Sequence, residues 1–135
     1  MRLLAEIFFY GYTGLLILAG AWGIVGARLD QRVLFGIDLS TLRRPTAASL
    51  VSQYRFMRAI ELGFGTFAVI FHREIFSDRL FNRLFLATML AGVLARVISR
   101  LVDGRPRPIF DFFLVSEALG ALVIFAYTRP LVGQS

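Results

Sequence analysis

The feature that most constrains this chain is a stretch of uncharged residues from Ile7 to Ala27, flanked by Glu6 and Arg28. At about 1.5 Å per residue a helix of that length covers about 30 Å, the thickness of a bilayer's hydrocarbon core. Phe8, Phe9, Tyr10 and Tyr12 lie toward one end and Trp22 toward the other, as aromatic side chains do at two membrane interfaces. The opening Met1-Arg2-Leu3-Leu4 superficially resembles a signal peptide, but no convincing cleavage site follows, so the stretch reads as a retained helix. Ala19, Gly23 and Ala27 recur every four residues with Gly20 beside them, a strip on which another helix can pack closely, inside the bundle or outside it.

The rest of the chain repeats the theme with more charge. With 57% apolar residues and a mean hydropathy of +0.69, a chain of 135 residues has too little polar surface for a soluble domain. The spacing predicts an all-α, integral membrane four-helix bundle forming one domain over residues 1–135. Its helices are expected at about residues 4–27, 49–71, 80–101 and 109–128. Alternating passes put both termini on one side. The connection over residues 28–48 has a short apolar middle, Val33 to Ile37, and is expected to lie on the interface or roof the bundle. The turn over residues 72–78 is expected on the side of the termini. On the opposite side, Gly104, Pro106 and Pro108 end the third helix and open the fourth. That side carries Arg28, Arg32, Arg43, Arg44, Arg105 and Arg107, so the excess of positive charge leans toward its being cytoplasmic.

Composition also excludes. The chain lacks cysteine, which removes disulfides, thiolate catalysis and cysteine-ligated metals or clusters. The single histidine, His72, cannot form a bis-histidine haem and is expected to be solvated or interfacial. No metal and no cofactor is expected. All fifteen basic residues are arginine, for which a GC-rich genome is reason enough, although arginine is also the better partner for planar anions. The net charge of +6 is spread between and within apolar runs instead of forming an exposed basic stripe. Anionic lipid headgroups are therefore the expected neighbours, and nucleic acid is not.

Ionised side chains at membrane depth are the residues that need explaining. Each costs roughly 2.5 to 3.5 kcal/mol at the bilayer centre on insertion scales, so such groups turn inward and find partners. Arg55, Arg58 and Glu61 spread over one broad side of the second helix, and Arg58 and Glu61, three residues apart, can pair. Gly92, Arg96, Ser99, Arg100 and Asp103 share a face of the third helix, while Asp111 and Glu117 lie on the fourth. With alternating directions, Arg55, Arg58, Glu61, Arg96, Arg100, Asp111 and Glu117 all occupy the same half of the membrane. Two outcomes stay open. The charges neutralise one another and fix helix register, or they line a cavity for an anionic headgroup, a carboxylate or a quinone carbonyl. Gly63, Gly65, Gly92 and Gly120 are expected to serve close helix packing, and Phe110, Phe112, Phe113 and Phe125 to meet lipid or neighbouring helices.

The run from Arg55 to Gly65, the stretch Ala95-Arg96-Val97-Ile98-Ser99 and the turn Asp103-Gly104-Arg105-Pro106, with Glu117 after it, resemble a family of small bacterial four-helix membrane proteins catalogued only as a domain of unknown function. The resemblance implies the same four-pass fold and brings no activity or catalytic residue with it.

Three functions are therefore expected in order. The first is a non-enzymatic accessory or scaffold subunit in a bacterial inner membrane, packing against itself or a larger complex. The second is a binding protein for a lipid, quinone or other amphipathic acid. The third is a proton-coupled transporter relying on Glu117, against which stands the lack of paired discontinuous helices.

Overall fold

The structure, a computed structural model, describes residues 1–132, so the last three residues of the expected domain lie outside the described residues. It is all-helical, with no strand among the described residues. Four long helices, α1 (Arg2–Val25), α3 (Arg44–Ile70), α5 (Arg79–Val102) and α6 (Pro108–Val132), correspond to the four expected from the spacing. Two short ones were not anticipated: α2 (Ala27–Val33), and α4 (His72–Ser77), which occupies the stretch expected as a simple turn. Three of the long helices, α1, α5 and α6, are long and apolar enough to cross a membrane. The fourth, α3, carries Arg55, Arg58 and Glu61 in its middle.

Local chemistry explains the boundaries. α3 starts at Arg44, five residues before the expected Ser49, because Pro45 falls in the first turn, where a missing N–H costs nothing. The Asp78 carboxylate caps α5, accepting from the backbone N–H groups of Leu80 (2.8 Å) and Phe81 (3.1 Å). Beyond the other end of α5, Gly104 takes a φ of +96°, a left-handed conformation that stops a helix and that other residues adopt at a cost. Pro108 then occupies the first position of α6.

The described residues gather into two compact units, one comprising residues 1–12 and 68 onward, the other residues 13–67. The first is built on aromatic rings. Phe9 is fully buried, with ring centres of Tyr10, His72, Phe76 and Phe85 between 5.1 and 5.3 Å away. Ile75, Met89 and Ile124 complete this core. Asn82, buried on α5, donates its side-chain amide to the Ile75 carbonyl at 2.9 Å and ties the end of α4 to α5. His72 is half-buried instead of solvated: its ring stacks on Tyr10 and packs against Phe9 and Phe76, with Nε2 buried and, among the described residues, lacking a hydrogen-bond partner. Phe9 and Tyr10 of α1, which the sequence places toward an interface, supply part of its surroundings.

In the second unit the later half of α1 lies against α3 at van der Waals limits. A Cβ on Gly20 would come within 2.7 Å of the Leu62 nitrogen and 2.8 Å of the Arg58 carbonyl, and one on Gly65 within 2.9 Å of Ile17. The glycine strip of α1 is thus filled by a helix of the same chain. Gly120 in the first unit also sits close to a neighbour, Phe8, whereas a Cβ on Gly63 or Gly92 would meet nothing within 4 Å among the described residues. The connection after α1 folds back as α2 and a 3-10 turn (Leu39–Thr41), and Phe35 and Leu39 pack on a small core of Ala27, Val51 and Tyr54. Asp38 caps the turn, and the Ser40 hydroxyl and backbone N–H hold its carboxyl below the usual carboxylate range.

Candidate functional site

In the unit of residues 13–67 the charged residues form a hydrogen-bonded chain. Arg58 donates through Nη1 to Glu61 Oε2 at 2.6 Å and through Nε to the Tyr54 hydroxyl at 2.7 Å. Tyr54 in turn donates to Asp30 Oδ2 at 2.6 Å, and the other oxygen of Asp30 accepts from the indole N–H of Trp22 at 3.0 Å. Asp30 is 6% exposed and Tyr54 5%, so the centre of this chain is dry enough for its hydrogen bonds to matter. The i to i+3 spacing explains the Arg58–Glu61 pair, and the Tyr54–Arg58 contact is likewise one turn of α3. Asp30 arrives from α2, twenty-four residues from Tyr54 in sequence. Arg55 stays outside: it is exposed and donates through Nε to the Ile24 carbonyl at 3.1 Å.

The unit of residues 1–12 and 68 onward holds its own ion pairs, between α5 and α6. Arg96 grips Glu117 with two donors, Nε at 2.9 Å and Nη2 at 3.1 Å, the planar fork arrangement that arginine offers a carboxylate. The ring of Phe113 lies under the same guanidinium at 5.7 Å. One turn farther along α5, Arg100 is bonded to Asp111, whose second oxygen is 3.5 Å from the exposed Arg105. The hydroxyl of Ser99 donates to Asp103 at 2.9 Å across one turn of helix.

Of the seven residues singled out in the sequence, six are therefore paired acid to base: Arg58 with Glu61, Arg96 with Glu117 and Arg100 with Asp111. Sequence reasoning missed Trp22, Asp30 and Tyr54. The available signal was an aspartate two residues beyond Arg28, in a connection assigned to the interface, and a tyrosine one turn before Arg58. Among the described residues no cluster of histidine and carboxylate side chains has the grouping that would hold a metal ion.

Replacing Tyr54 by Phe tests the chain of bonds. It deprives Asp30 of one donor and Arg58 of one acceptor, an expected loss of about 1–3 kcal/mol for buried groups left unsatisfied. Trp22, the only tryptophan, reports the change directly through its fluorescence as Tyr54→Phe is unfolded. Unchanged stability and emission would show that the bonds contribute nothing.

A model of the domain of unknown function DUF4345 matches residues 4–128. No curated protein and no solved structure matches the chain.

Proposed function

The chain belongs to the DUF4345 family, and from that premise and the pairing of its charges we propose that it is a non-enzymatic, multi-pass membrane protein serving as an accessory or scaffold subunit. The observation that carries this reading is that every acid in the four long helices is bonded to an arginine: Glu6 to Arg2, Glu61 to Arg58, Asp111 to Arg100 and Glu117 to Arg96. A carboxylate so engaged is a tie between or along helices. A carboxylate acting in acid–base catalysis or proton-coupled transport exchanges its proton during the cycle.

α1, α5 and α6 supply three membrane passes, and α3 a fourth, its charges closed onto partners as a spanning helix requires. Both termini then share one side of a bacterial inner membrane. Large apolar side chains face outward from α5 and α6, Leu84, Ile98, Phe112 and Leu122 among them. These faces are available to lipid and to a second copy or a larger membrane complex. The glycine strip of α1 adds nothing to this argument, because α3 already fills it.

Extraction and crosslinking test the proposal together. The protein is expected to stay with membranes under alkaline carbonate washing, and a short crosslinker applied to native membranes is expected to capture a second copy or a discrete partner. A monomer in mild detergent that forms no crosslink in membranes would end the scaffold reading. The alternative of an amphipathic acid held by Arg58 or by Arg96 draws less support, since each guanidinium already holds a carboxylate.

A further inference from the structure

One cluster of arginines has no acid to hold among the described residues. Arg79 and Arg83, one turn apart on α5, and Arg129 on α6 line an open pocket of about 610 Å³ together with Leu86, Leu90 and Phe125. No ion pair joins any of the three to a carboxylate among the described residues. Asp78, the acid preceding Arg79, spends one oxygen capping α5. The buried Asn82 amide, also at this pocket, is turned to the Ile75 carbonyl. The cluster is cationic, and among the described residues its charge is uncompensated.

The pocket also has a second compartment. Leu86, Leu90 and Phe125 are shared with a groove of about 340 Å³ that continues between α5 and α6 past Val93, Ala118 and Ala121. Every residue along that groove is apolar. From Arg83 to Val93 is ten residues, about 15 Å along a helix axis. A cationic mouth that accepts phosphate through guanidinium forks therefore opens onto a hydrocarbon-lined channel of acyl-chain length, and both lie on the same two helices.

We propose that this is a binding site for an anionic glycerophospholipid, its phosphate held by Arg79, Arg83 and Arg129 and one acyl chain laid in the α5–α6 groove. The proposal rests on the chain being membrane-embedded but not on its having a partner. Charge and shape both select the ligand: a soluble anion leaves the groove empty, and a zwitterionic lipid brings a cation of its own beside its phosphate and so adds no net counter-charge to three arginines. Arginines at helix ends also reach the headgroup layer without burying charge in hydrocarbon.

The test is native mass spectrometry of the full chain released from nanodiscs of equimolar phosphatidylglycerol and phosphatidylcholine. Wild type is expected to retain phosphatidylglycerol preferentially, and Arg83→Gln/Arg129→Gln to lower that retention by about an order of magnitude. Ala121→Trp, which fills the groove and leaves the arginines in place, is expected to lower it as well. Arg105→Gln, at the other end of α5 and α6, is expected to change nothing. Equal retention of the two lipids, or retention unaffected by the double substitution, would overturn the proposal. So would displacement of the lipid by millimolar inorganic phosphate, which would mark a free-anion site. Carbonate extraction separates the failures: a chain that stays in the membrane without preferring phosphatidylglycerol refutes this site alone, and a chain that washes off refutes the membrane reading.

Discussion

Gly20→Ala is expected to destabilise the unit of residues 13–67 by about 1–3 kcal/mol, with Gly20→Leu costing more, because the added carbon meets backbone, which cannot rotate away. The Leu62 nitrogen and the Arg58 carbonyl would stand 2.7 and 2.8 Å from the new Cβ, so α1 and α3 must separate for it to fit. Separation weakens the packing along the whole contact, including Gly65 against Ile17 and Thr13. The same substitution at Gly63 meets nothing within 4 Å and is expected to be neutral or stabilising by up to about 1 kcal/mol, since alanine is the better helix former. Thermal unfolding in detergent, followed through Trp22, compares the two within one unit. If Gly20→Ala and Gly63→Ala proved equally stable, the close approach of α1 to α3 would be wrong.

That contrast also shows how much could be read in advance. Gly63 and Gly65 are two residues apart, about 200° around a helix, so both cannot face the same neighbour. Sequence supplies the spacing and leaves open which of the two the neighbour meets. Signals confined to a few consecutive residues were legible: the uncharged run that became α1, the glycine after α5 and the proline opening α6. The Arg58–Glu61 pair was legible for the same reason, since three residues on one helix fix its geometry.

What depended on distant segments was not. Asp30 reaches Tyr54 only because the connection after α1 doubles back as α2, and nothing in a stretch of mixed charge and apolar residues fixes that path. The packing of His72 was hidden for the same reason: its neighbours Phe9 and Tyr10 come from a distant part of the chain. Arg79, Arg83 and Arg129 stand in the sequence as separate charges near helix ends. Their convergence required knowing that the start of α5 lies beside the end of α6. Electrostatics thus predicted that charges would find partners, while topology decided which ones.

Glu117→Ala is expected to cost about 3 kcal/mol or more, because it strands the Arg96 guanidinium between α5 and α6 with no acceptor for its two donors. The Glu117 side chain is 13% exposed and that of Arg96 33%, so the loss belongs at the lower end of the range for buried pairs. Removing both partners tells a different story. Arg96→Leu/Glu117→Leu leaves no orphaned charge, and on the membrane reading its exposed part faces hydrocarbon, so the double variant is expected within about 1 kcal/mol of wild type or above it. Arg96→Lys keeps the charge but loses the fork, and should fall between the single and double variants. The mostly exposed Arg105, 3.5 Å from Asp111, should be nearly silent when replaced by Ala. Chemical unfolding of these proteins and of the single variants Arg96→Leu and Glu117→Leu, all in one detergent, measures all of these. An additive double variant, as unstable as its two single changes combined, would mean that Arg96 and Glu117 do not act as a pair, and a tie between α5 and α6 would no longer explain why a carboxylate and a guanidinium stand in the middle of two apolar helices.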